Sequence, residues 1–287
     1  MKIAAFRTSG DTLRRVGKVS ENFIEDITES FPTIADAMTA RRSELETAKG
    51  PRVDLSDARL LAPIDPCATI LCVAANYHSH IKEANLPAIR PHPLIFFKPQ
   101  TSVVGPGDDV LLPSISQAVD YEAELAVVIG RKGYAVPAQD AMGLVAGYTI
   151  LNDISARDLQ ITLFRDKRDY DWFSGKGLDT SAPAGPWVST PEEMPYENNI
   201  RIQLWLNDKL MQNETTADMV FSIPQLIEYI TQRMTLRPGD IIATGTPAGV
   251  GKFQGIYLKP GDRIVIEIEG IGRLENQVAA HPGRLNK

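Results

Sequence analysis

Cysteine is nearly absent from this chain of 287 residues, which contains only Cys67 and Cys72. Their spacing in PCATILCVAA matches no zinc signature and suggests no disulfide framework. We therefore expect two buried core thiols in a reducing compartment. No apolar run approaches membrane-spanning length, and MKIAAFRTSGD has too few apolar residues for a signal peptide. These absences predict a cytoplasmic protein without a membrane partner.

The chain also has little positive charge to offer a nucleic acid, because its formal net charge is −6. Its only short basic run, residues 165–168, is interrupted by an aspartate. No Gly-x-Ser-x-Gly elbow is present, which disfavours a serine hydrolase. The run TGTPAGVGK fails as a phosphate loop, because Lys252 is followed by Phe253. We expect its glycines to bring backbone N–H groups and Thr246 near a small anionic ligand.

What the sequence does contain, from Ala68 onward, is a series of short apolar runs of β type. They are ATILCVAAN, PLIFFKP, VVIG, GYTILND, IRIQLWLND, DIIATG and DRIVIEIEG. Pro-Gly-Asp turns at Pro106, Pro238 and Pro260 precede strands and predict chain reversals in an antiparallel or mixed sheet. The few helical stretches cover residues 78–84, 138–144, 154–163 and 223–233. We predict a mixed α/β fold that is predominantly β, and neither a TIM barrel nor a doubly wound sheet.

The first 65 residues differ from the rest of the chain. MKIAAFRT, RRVGKV and NFIEDITES are typical of short strands, and residues 33–49 are polar and favour helix. This segment carries no obvious catalytic group. We predict a small N-terminal α/β domain over residues 1–65 and a catalytic domain over residues 66–287.

Two carboxylate clusters lie in otherwise apolar sequence. Glu122 and Glu124 open the run YEAELAVVIG, and alternation along a strand places them on one side. Asp153 ends a second apolar run and can supply a third oxygen. Unpaired buried carboxylates are costly, so the three predict a cation, and Mg²⁺ or Mn²⁺ suits them better than zinc. The alternative is an edge strand whose glutamates are solvated.

The segment that follows Asp153 reads ISARDLQ. A helix starting at Asp153 would place that residue, Arg157 and Gln160 on one face, with Arg157 suited to a substrate carboxylate. The alternative is a helix N-cap with an ordinary surface ion pair.

A short predicted helix in NYHSHIKEA brings His80 and Glu83 together at i, i+3. A carboxylate beside an imidazole is the arrangement of a general base for water, although an exposed histidine is the alternative. We expect His78 to be exposed and the loop NLPAIRPHP to act as a mobile lid. Lys176, between two glycines, either approaches a ligand or is a solvated loop lysine. The charged and aromatic stretch 162–172 either closes over a substrate or is an exposed loop.

Together these segments resemble the fumarylacetoacetate hydrolase family, in five motifs that follow the family's order. The motifs are NYxxHxxE from Asn76, DYEAELAVVIG from Asp120, NDISARDLQ from Asn152, GKGLDTSAPAGPW from Gly175 and TGTPAGVG from Thr244. The resemblance implies a mixed β-sandwich roll, usually a homodimer, with one Mg²⁺ or Mn²⁺ per subunit. It also implies the roles of nine residues: Glu122, Glu124 and Asp153 as metal ligands, His80 and Glu83 as the water-activating pair, Lys176 beside the metal, and Arg157, Gln160 and Thr246 as substrate contacts.

The family's substrates resemble acylpyruvates and other 2,4-dioxo acids, including sugar-acid and aromatic-degradation derivatives. The leading hypothesis is hydrolysis of a C–C bond in such an anionic dioxo acid, through a metal-stabilised pyruvate enolate and water activated by His80. Three alternatives stay open: oxaloacetate decarboxylation, tautomerisation or isomerisation of an unsaturated dioxo acid, and a metal-binding scaffold without activity. The intact set of His80, Glu83 and Lys176 argues against the last.

Overall fold

The computed structural model of the protein describes residues 1–86, 89–164, 167–194 and 199–282. The chain is mostly β with short helices, which confirms the predicted fold class. The strands are β1 (Lys2–Thr8), β2 (Arg15–Val19), β3 (Phe23–Asp26), β4 (Arg52–Asp54), β5 (Ala58–Leu61), β6 (Ile70–Ala74), β7 (Leu94–Lys98), β8 (Val103–Val104), β9 (Asp109–Leu112), β10 (Val119–Asp120), β11 (Ala123–Ile129), β12 (Val145–Asn152), β13 (Ser155–Ala156), β14 (Ile161–Phe164), β15 (Lys167–Tyr170), β16 (Ala182–Ser189), β17 (Arg201–Leu206), β18 (Lys209–Thr215), β19 (Ile241–Ala243), β20 (Arg263–Ile268) and β21 (Gly272–Ala280).

The α-helices are short, and none in the described part of the chain is long and apolar enough to cross a membrane. They are α1 (Ile34–Thr39), α2 (Arg42–Thr47), α3 (His78–Glu83), α4 (Ala138–Ala141), α5 (Arg157–Gln160), α6 (Trp172–Lys176), α7 (Ile223–Thr231) and α8 (Gly251–Gln254).

Two sheets form the body of the molecule. In the described residues, twelve strands make one mixed sheet in the order β4-β3-β2-β1-β16-β12-β11-β19-β6-β7, with β5 beside β1 and β8 beside β16. Five more strands pair in the order β18-β17-β20-β21-β9. The two sheets pack face to face, because Leu125 and Val127 of β11 share one apolar core with Ile202 of β17 and Ile266 of β20.

Strand β11 is buried on both faces, which explains its continuous apolar run. Leu125 and Val127 face the second sheet, whereas Ala126 and Val128 face the core that contains the N-terminal strands and helices. Alternation therefore places Glu124 on the face of Ala126. Glu124 therefore lies on the side of the large sheet that faces the core of the N-terminal segment.

The N-terminal strands join the same large sheet, because Lys2 and Ile3 of β1 pair with β16. The family resemblance begins after them, and the division of the chain into domains at residue 65 stays a prediction.

The three Pro-Gly-Asp turns are confirmed and share one geometry. Their glycines have φ values of 75°, 85° and 91°, which a residue with a side chain rarely adopts. In each turn the aspartate side chain accepts the backbone N–H of the residue three positions earlier. The pairs are Gly105 to Asp108 (2.7 Å), Arg237 to Asp240 (2.7 Å) and Lys259 to Asp262 (2.8 Å).

Two sequence predictions about local structure are wrong. The helix predicted over residues 154–163 is only α5, because residues 155–156 pair with β10 and the chain becomes strand again at Ile161. Asp153 is therefore no helix N-cap, since α5 begins after Ala156. Of the two cysteines, Cys72 is buried but Cys67 is exposed, because it lies in a turn before β6.

Candidate metal and catalytic site

Three carboxylates meet where β11 begins and β12 ends. Glu122, Glu124 and Asp153 are buried, and each offers an oxygen within 4.8 Å of the oxygens of the other two. Strand pairing creates this arrangement, because the backbone N–H of Asp153 donates to the carbonyl oxygen of Glu122 at 2.9 Å. Their burial excludes the alternative of glutamates solvated on an edge strand.

Cationic side chains of the protein contact all four oxygens of Glu122 and Asp153. Arg157 donates to Oε1 of Glu122 at 2.6 Å, and Lys98 donates to Oδ1 of Asp153 at 2.8 Å. Lys176 Nζ bridges the remaining two oxygens, Oε2 of Glu122 and Oδ2 of Asp153, at 2.6 Å each. The family resemblance implied that Lys176 lies beside the metal, whereas the sequence analysis gave Lys98 no role.

The buried ammonium group of Lys98 connects the segment that contains Asp153 to the backbone of Lys176. Besides Asp153, its Nζ donates to the carbonyl oxygens of Ile154 at 3.2 Å and Lys176 at 2.8 Å. All three protons are used, and the side chain is fully buried. The available signal was a lysine at the end of the apolar run PLIFFKP, where an unpaired charge would be costly.

Replacing Lys98 with Met should lower the free energy of unfolding by about 3–5 kcal/mol, the range for breaking a buried ion pair by removing one partner. The reason is that Oδ1 of Asp153 and two carbonyl oxygens would lose their shared donor. Chemical denaturation measures the change, and Lys82→Met, at an exposed lysine, is the matched control. A loss below about 1 kcal/mol, typical of a surface pair, would contradict this reading.

Charge compensation within the cluster is uneven. Burial alone raises the pKa of the Glu122 carboxyl, but the charges of Lys176 and Arg157 outweigh it and hold that pKa below its usual range. Burial lowers the pKa of Lys176, but Asp153 and Glu122 outweigh it and the net pKa is raised. Both partners are therefore charged at neutral pH.

Glu124 is the carboxylate that the protein's own cations compensate least. Burial, followed by the charges of Asp153 and Glu122, raises the pKa of Glu124 well above its ordinary value. Oε2 of Glu124 accepts a hydrogen bond from the backbone N–H of Gly245 at 2.8 Å. A divalent cation among these three carboxylates would favour the charged form of Glu124, so the donor set fits such an ion.

The donor set also indicates the kind of ion. The three ligand groups offer only oxygen, which suits Mg²⁺ or Mn²⁺. Cys72 lies near the cluster, but burial and the charges of Asp153 and Glu124 raise the pKa of its thiol well above the usual value. A protonated thiol is a poor metal ligand, so the sulfur does not favour zinc.

The predicted pair of His80 and Glu83 forms on α3. His80 Nδ1 lies 3.3 Å from Oε1 of Glu83, and Oε2 of Glu83 accepts the N–H of Gly249 at 2.7 Å. His80 lines the same cavity as the carboxylate cluster, whereas His78 is exposed as expected. A glutamate fixed by Gly249 can orient the imidazole and leave Nε2 for proton transfer.

The glycine-rich run 244–252 supports the site in a way the sequence did not predict. The expectation that its N–H groups face a small anionic ligand is wrong for three of them, because carboxylates of the protein accept those hydrogens. The pairs are Gly245 to Glu124 (2.8 Å), Gly249 to Glu83 (2.7 Å) and Gly251 to Asp120 (2.8 Å). Asp120 is a further buried residue that sequence reasoning missed, and it also accepts Arg157 Nε at 3.0 Å.

Gly249→Ala should lower the free energy of unfolding by about 2–4 kcal/mol, which combines left-handed backbone strain with overpacking. Gly249 has φ +104°, and a Cβ there would lie 2.0 Å from the carbonyl oxygen of Met211. Thermal unfolding measures the effect. The matched control is Gly255→Ala, where φ is +67° and nothing lies within 4 Å of the added Cβ. Equal losses in the two variants would contradict the argument from close packing.

The three predicted substrate residues lie on the cavity wall. Arg157 and Gln160 share the short helix α5 and are joined by a hydrogen bond of 3.3 Å, without the longer helix that the sequence predicted. Thr246 donates to the carbonyl oxygen of Ala123 at 2.9 Å and accepts Nε2 of Gln212 at 2.8 Å. Their role as substrate contacts stays a prediction.

The cavity that joins these groups has a volume of about 240 Å³. One wall is a stack of aromatic rings in which Trp172 lies between Phe96 and Tyr170, with ring centroids 4.9 Å and 5.6 Å apart. Tyr170 and Trp172 belong to the stretch 162–172, so this part of it lines the cavity. Residues 165–166 of that stretch, and residues 87–88 of the predicted lid, lie outside the described residues.

Comparison with known proteins identifies similar chains. The model of the family described as "Fumarylacetoacetate (FAA) hydrolase C-terminal" matches residues 69–279. An oxaloacetate tautomerase of Bacillus subtilis is 39% identical over 96% of this chain and 93% of its own length. A mitochondrial oxaloacetate tautomerase of Homo sapiens is 42% identical over 80% of this chain and 73% of its own. The crystal structure of maleylpyruvate hydrolase from Sphingobium, in complex with manganese(II) and pyruvate, superposes with a TM-score of 0.81, 31% identity and coverage of 98% and 99%.

Proposed function

Because the chain belongs to the fumarylacetoacetate hydrolase family, we propose that it is a divalent-metal-dependent enzyme. In this proposal the enzyme moves a proton at C3 of a small 2-oxo acid. Keto–enol tautomerisation of oxaloacetate is the proposed reaction. The observation that carries the proposal is the convergence on one cavity of three buried carboxylates, a charged lysine and a histidine held by glutamate.

The charges of the site suit an anionic substrate. When all four buried carboxylates are ionised, the state that a bound cation would favour for Glu124, they exceed the three buried cationic side chains by one negative charge. A divalent cation reverses that excess to one positive charge, which an anionic group of the substrate can neutralise. The four carboxylates are Asp120, Glu122, Glu124 and Asp153, and the three cations are Lys98, Arg157 and Lys176. Arg90 and Lys252, which also line the cavity, add positive charge for a second carboxylate.

The protein's own residues can carry the proton transfer. A bound Mg²⁺ or Mn²⁺ would be held by Glu122, Glu124 and Asp153, and it supplies Lewis-acid polarisation of the 2-oxo oxygen. In the direction of the enol, His80 accepts the proton as the C3–H bond breaks, and the C2 oxygen takes a proton from solvent. In ketonisation the C2 hydroxyl loses its proton to solvent and His80 delivers a proton to C3. Lys176 stabilises the negative charge that develops on the C2 oxygen, since it is charged and buried.

Hydrolysis of an acylpyruvate is the second candidate, and the similarity to maleylpyruvate hydrolase favours it. His80 would then take its proton from water, which attacks the distal carbonyl carbon while the C3–C4 bond breaks. His80 and Glu83 can serve both reactions, because each reaction needs one base beside the 2-oxo acid. Oxaloacetate decarboxylation needs no attacking water, so it depends least on His80 and Glu83.

A panel of substrates tests the proposal. Enol-oxaloacetate is followed by the loss of its ultraviolet absorbance, and the keto form is captured by malate dehydrogenase. Acetylpyruvate, fumarylpyruvate and oxaloacetate are assayed for pyruvate release. Each reaction is run with Mn²⁺ or Mg²⁺ and with EDTA.

We expect metal-dependent ketonisation of oxaloacetate to exceed pyruvate release from every substrate. Faster pyruvate release from an acylpyruvate would establish the hydrolase instead, and release from oxaloacetate would establish a decarboxylase. No turnover of any substrate by protein that binds Mn²⁺ would contradict the proposal.

Assembly as a homodimer and location in the cytoplasm stay predictions. The similar human protein is named as a mitochondrial one.

A further inference from the structure

The oxygens of Glu122 and Asp153 divide into an outer pair and an inner pair. The outer pair consists of Oε1 of Glu122 and Oδ1 of Asp153, which Arg157 and Lys98 bind from two sides. The inner pair consists of Oε2 of Glu122 and Oδ2 of Asp153. A single ammonium group, Lys176 Nζ, lies 2.6 Å from both inner oxygens.

A divalent cation held by Glu122, Glu124 and Asp153 would therefore share two of its three ligand groups with Lys176. With Arg157 and Lys98 on the outer oxygens, an ion that also reaches Glu124 has the inner oxygens available as ligands. An ammonium group within hydrogen-bonding distance of those oxygens repels a cation placed among them, and burial strengthens the repulsion. In this same position Nζ lies 5.2 Å from the ring centroid of Phe96, so the ammonium also makes a cation–π contact with the cavity wall.

We propose that Lys176 competes with the divalent cation for the inner oxygens, and that an anionic substrate draws the ammonium away from them. Metal and substrate then bind cooperatively, because the binding of each favours the displacement of the Lys176 ammonium from the inner oxygens, which helps the other to bind. Lys176 thus weakens metal binding by the free protein, although the reaction uses its charge. The identity of the anion and the presence of the metal rest on the proposed function, whereas the contacts of Lys176 with the inner oxygens are those of the structure.

Mn²⁺ affinity, measured by titration calorimetry on full-length protein stripped with chelator, tests the competition. The wild type is compared with Lys176→Met, which removes the charge, and Lys176→Arg, which keeps it. We expect Lys176→Met to bind Mn²⁺ at least about tenfold more tightly than the wild type, because one buried cationic charge is gone. Lys176→Arg should bind close to the wild-type affinity. Lys209→Met, at an exposed lysine, should change nothing.

The second measurement repeats the titrations in the presence of oxalate, a dianion that resembles the carboxylate and oxygen of a 2-oxo acid. Oxalate should tighten Mn²⁺ binding by the wild type more than it tightens binding by Lys176→Met. The cause is that the variant has no ammonium to be drawn away. For each protein, the ratio of the Mn²⁺ dissociation constants without and with oxalate gives the effect of oxalate. The difference between the ratios of the wild type and Lys176→Met measures the coupling that Lys176 provides, and this measurement requires no catalytic turnover.

Unchanged or weaker Mn²⁺ binding by folded Lys176→Met would overturn the inference, as would equal effects of oxalate on the two proteins. If Lys176→Met does not fold, Lys176→Gln takes its place, with the same expected tightening. A wild type that binds neither Mn²⁺ nor Mg²⁺ would instead remove the proposed function. A wild type that binds Mn²⁺ and turns over oxaloacetate, beside a variant with no gain in affinity, would remove the inference alone.

Discussion

Glu124→Gln is expected to weaken divalent-cation binding strongly while it stabilises the protein from which metal has been removed. The substitution takes away one of three carboxylate ligands, so we expect Mn²⁺ affinity to fall about 100-fold or more, beyond the loss typical of a residue that only orients a ligand. It also removes the carboxylate that the protein's own cations compensate least. The free energy of unfolding in EDTA should rise by about 1–3 kcal/mol, the scale of one incompletely satisfied buried group.

The pH dependence of this difference has a definite sign. The pKa of Glu124 is raised in the folded protein, so the folded state holds the proton more tightly than the unfolded state. In EDTA, the contribution of Glu124 to stability is therefore greatest below its unfolded pKa and is lost as pH rises toward its folded pKa. Glu124→Gln has no such group, and its advantage over the wild type should grow as pH rises above about 4.5.

Denaturation in EDTA and in Mn²⁺ at several pH values measures both effects. Glu29→Gln, at an exposed glutamate, provides the matched control and should follow the wild type throughout. A Glu124→Gln protein that is less stable than the wild type in EDTA, or that still gains stability from Mn²⁺, would contradict the assignment of Glu124 as the ligand that needs the ion.

His80→Ala is expected to lower kcat by about 10²–10⁴-fold, the range for loss of a general acid–base group. Metal affinity should not change, because His80 is outside the carboxylate cluster. The variant should fold, since the His80 side chain is only partly buried and its polar contact with Glu83 is a long one, at 3.3 Å. Steady-state kinetics with saturating Mn²⁺, together with Mn²⁺ titration, measures the two effects separately.

The same helix supplies the control for this experiment. His78 lies two residues from His80 and is exposed, so His78→Ala should retain wild-type kcat. A similar loss of kcat in both variants would point to damage to α3 and away from proton transfer. Full ketonisation activity in His80→Ala would remove the histidine from the mechanism.

Much of the site could be predicted because its residues follow strand periodicity. Glu122 and Glu124 lie two positions apart at the start of a strand that is buried on both faces, so their shared side and their burial follow from sequence alone. Asp153 ends the neighbouring strand, and pairing of β11 with β12 sets its place. His80 and Glu83 meet because their spacing matches one helical turn.

The parts that could not be predicted depend on contacts between distant segments. Lys98 reaches Asp153 across 55 positions of sequence, and Gly251 reaches Asp120 across 131. The helix predicted after Asp153 failed because residues 155–156 pair with β10, a partner that local propensity does not reveal. The reaction itself could not be derived from the motifs either, since the same residues can serve hydrolysis and tautomerisation. The site geometry carries the proposal of a metal-dependent enzyme, and similarity to oxaloacetate tautomerases is the reason for preferring tautomerisation.

Glu122, Glu124 and Asp153 are expected to bind one divalent cation together. Anomalous diffraction from a crystal soaked in Mn²⁺ can locate that ion, because the manganese signal does not depend on activity. We expect a single strong peak within about 2.5 Å of one oxygen from each carboxylate, with Lys176 Nζ displaced from Oε2 of Glu122 or Oδ2 of Asp153. No peak among these oxygens at saturating Mn²⁺, or a peak bound elsewhere on the chain, would contradict it.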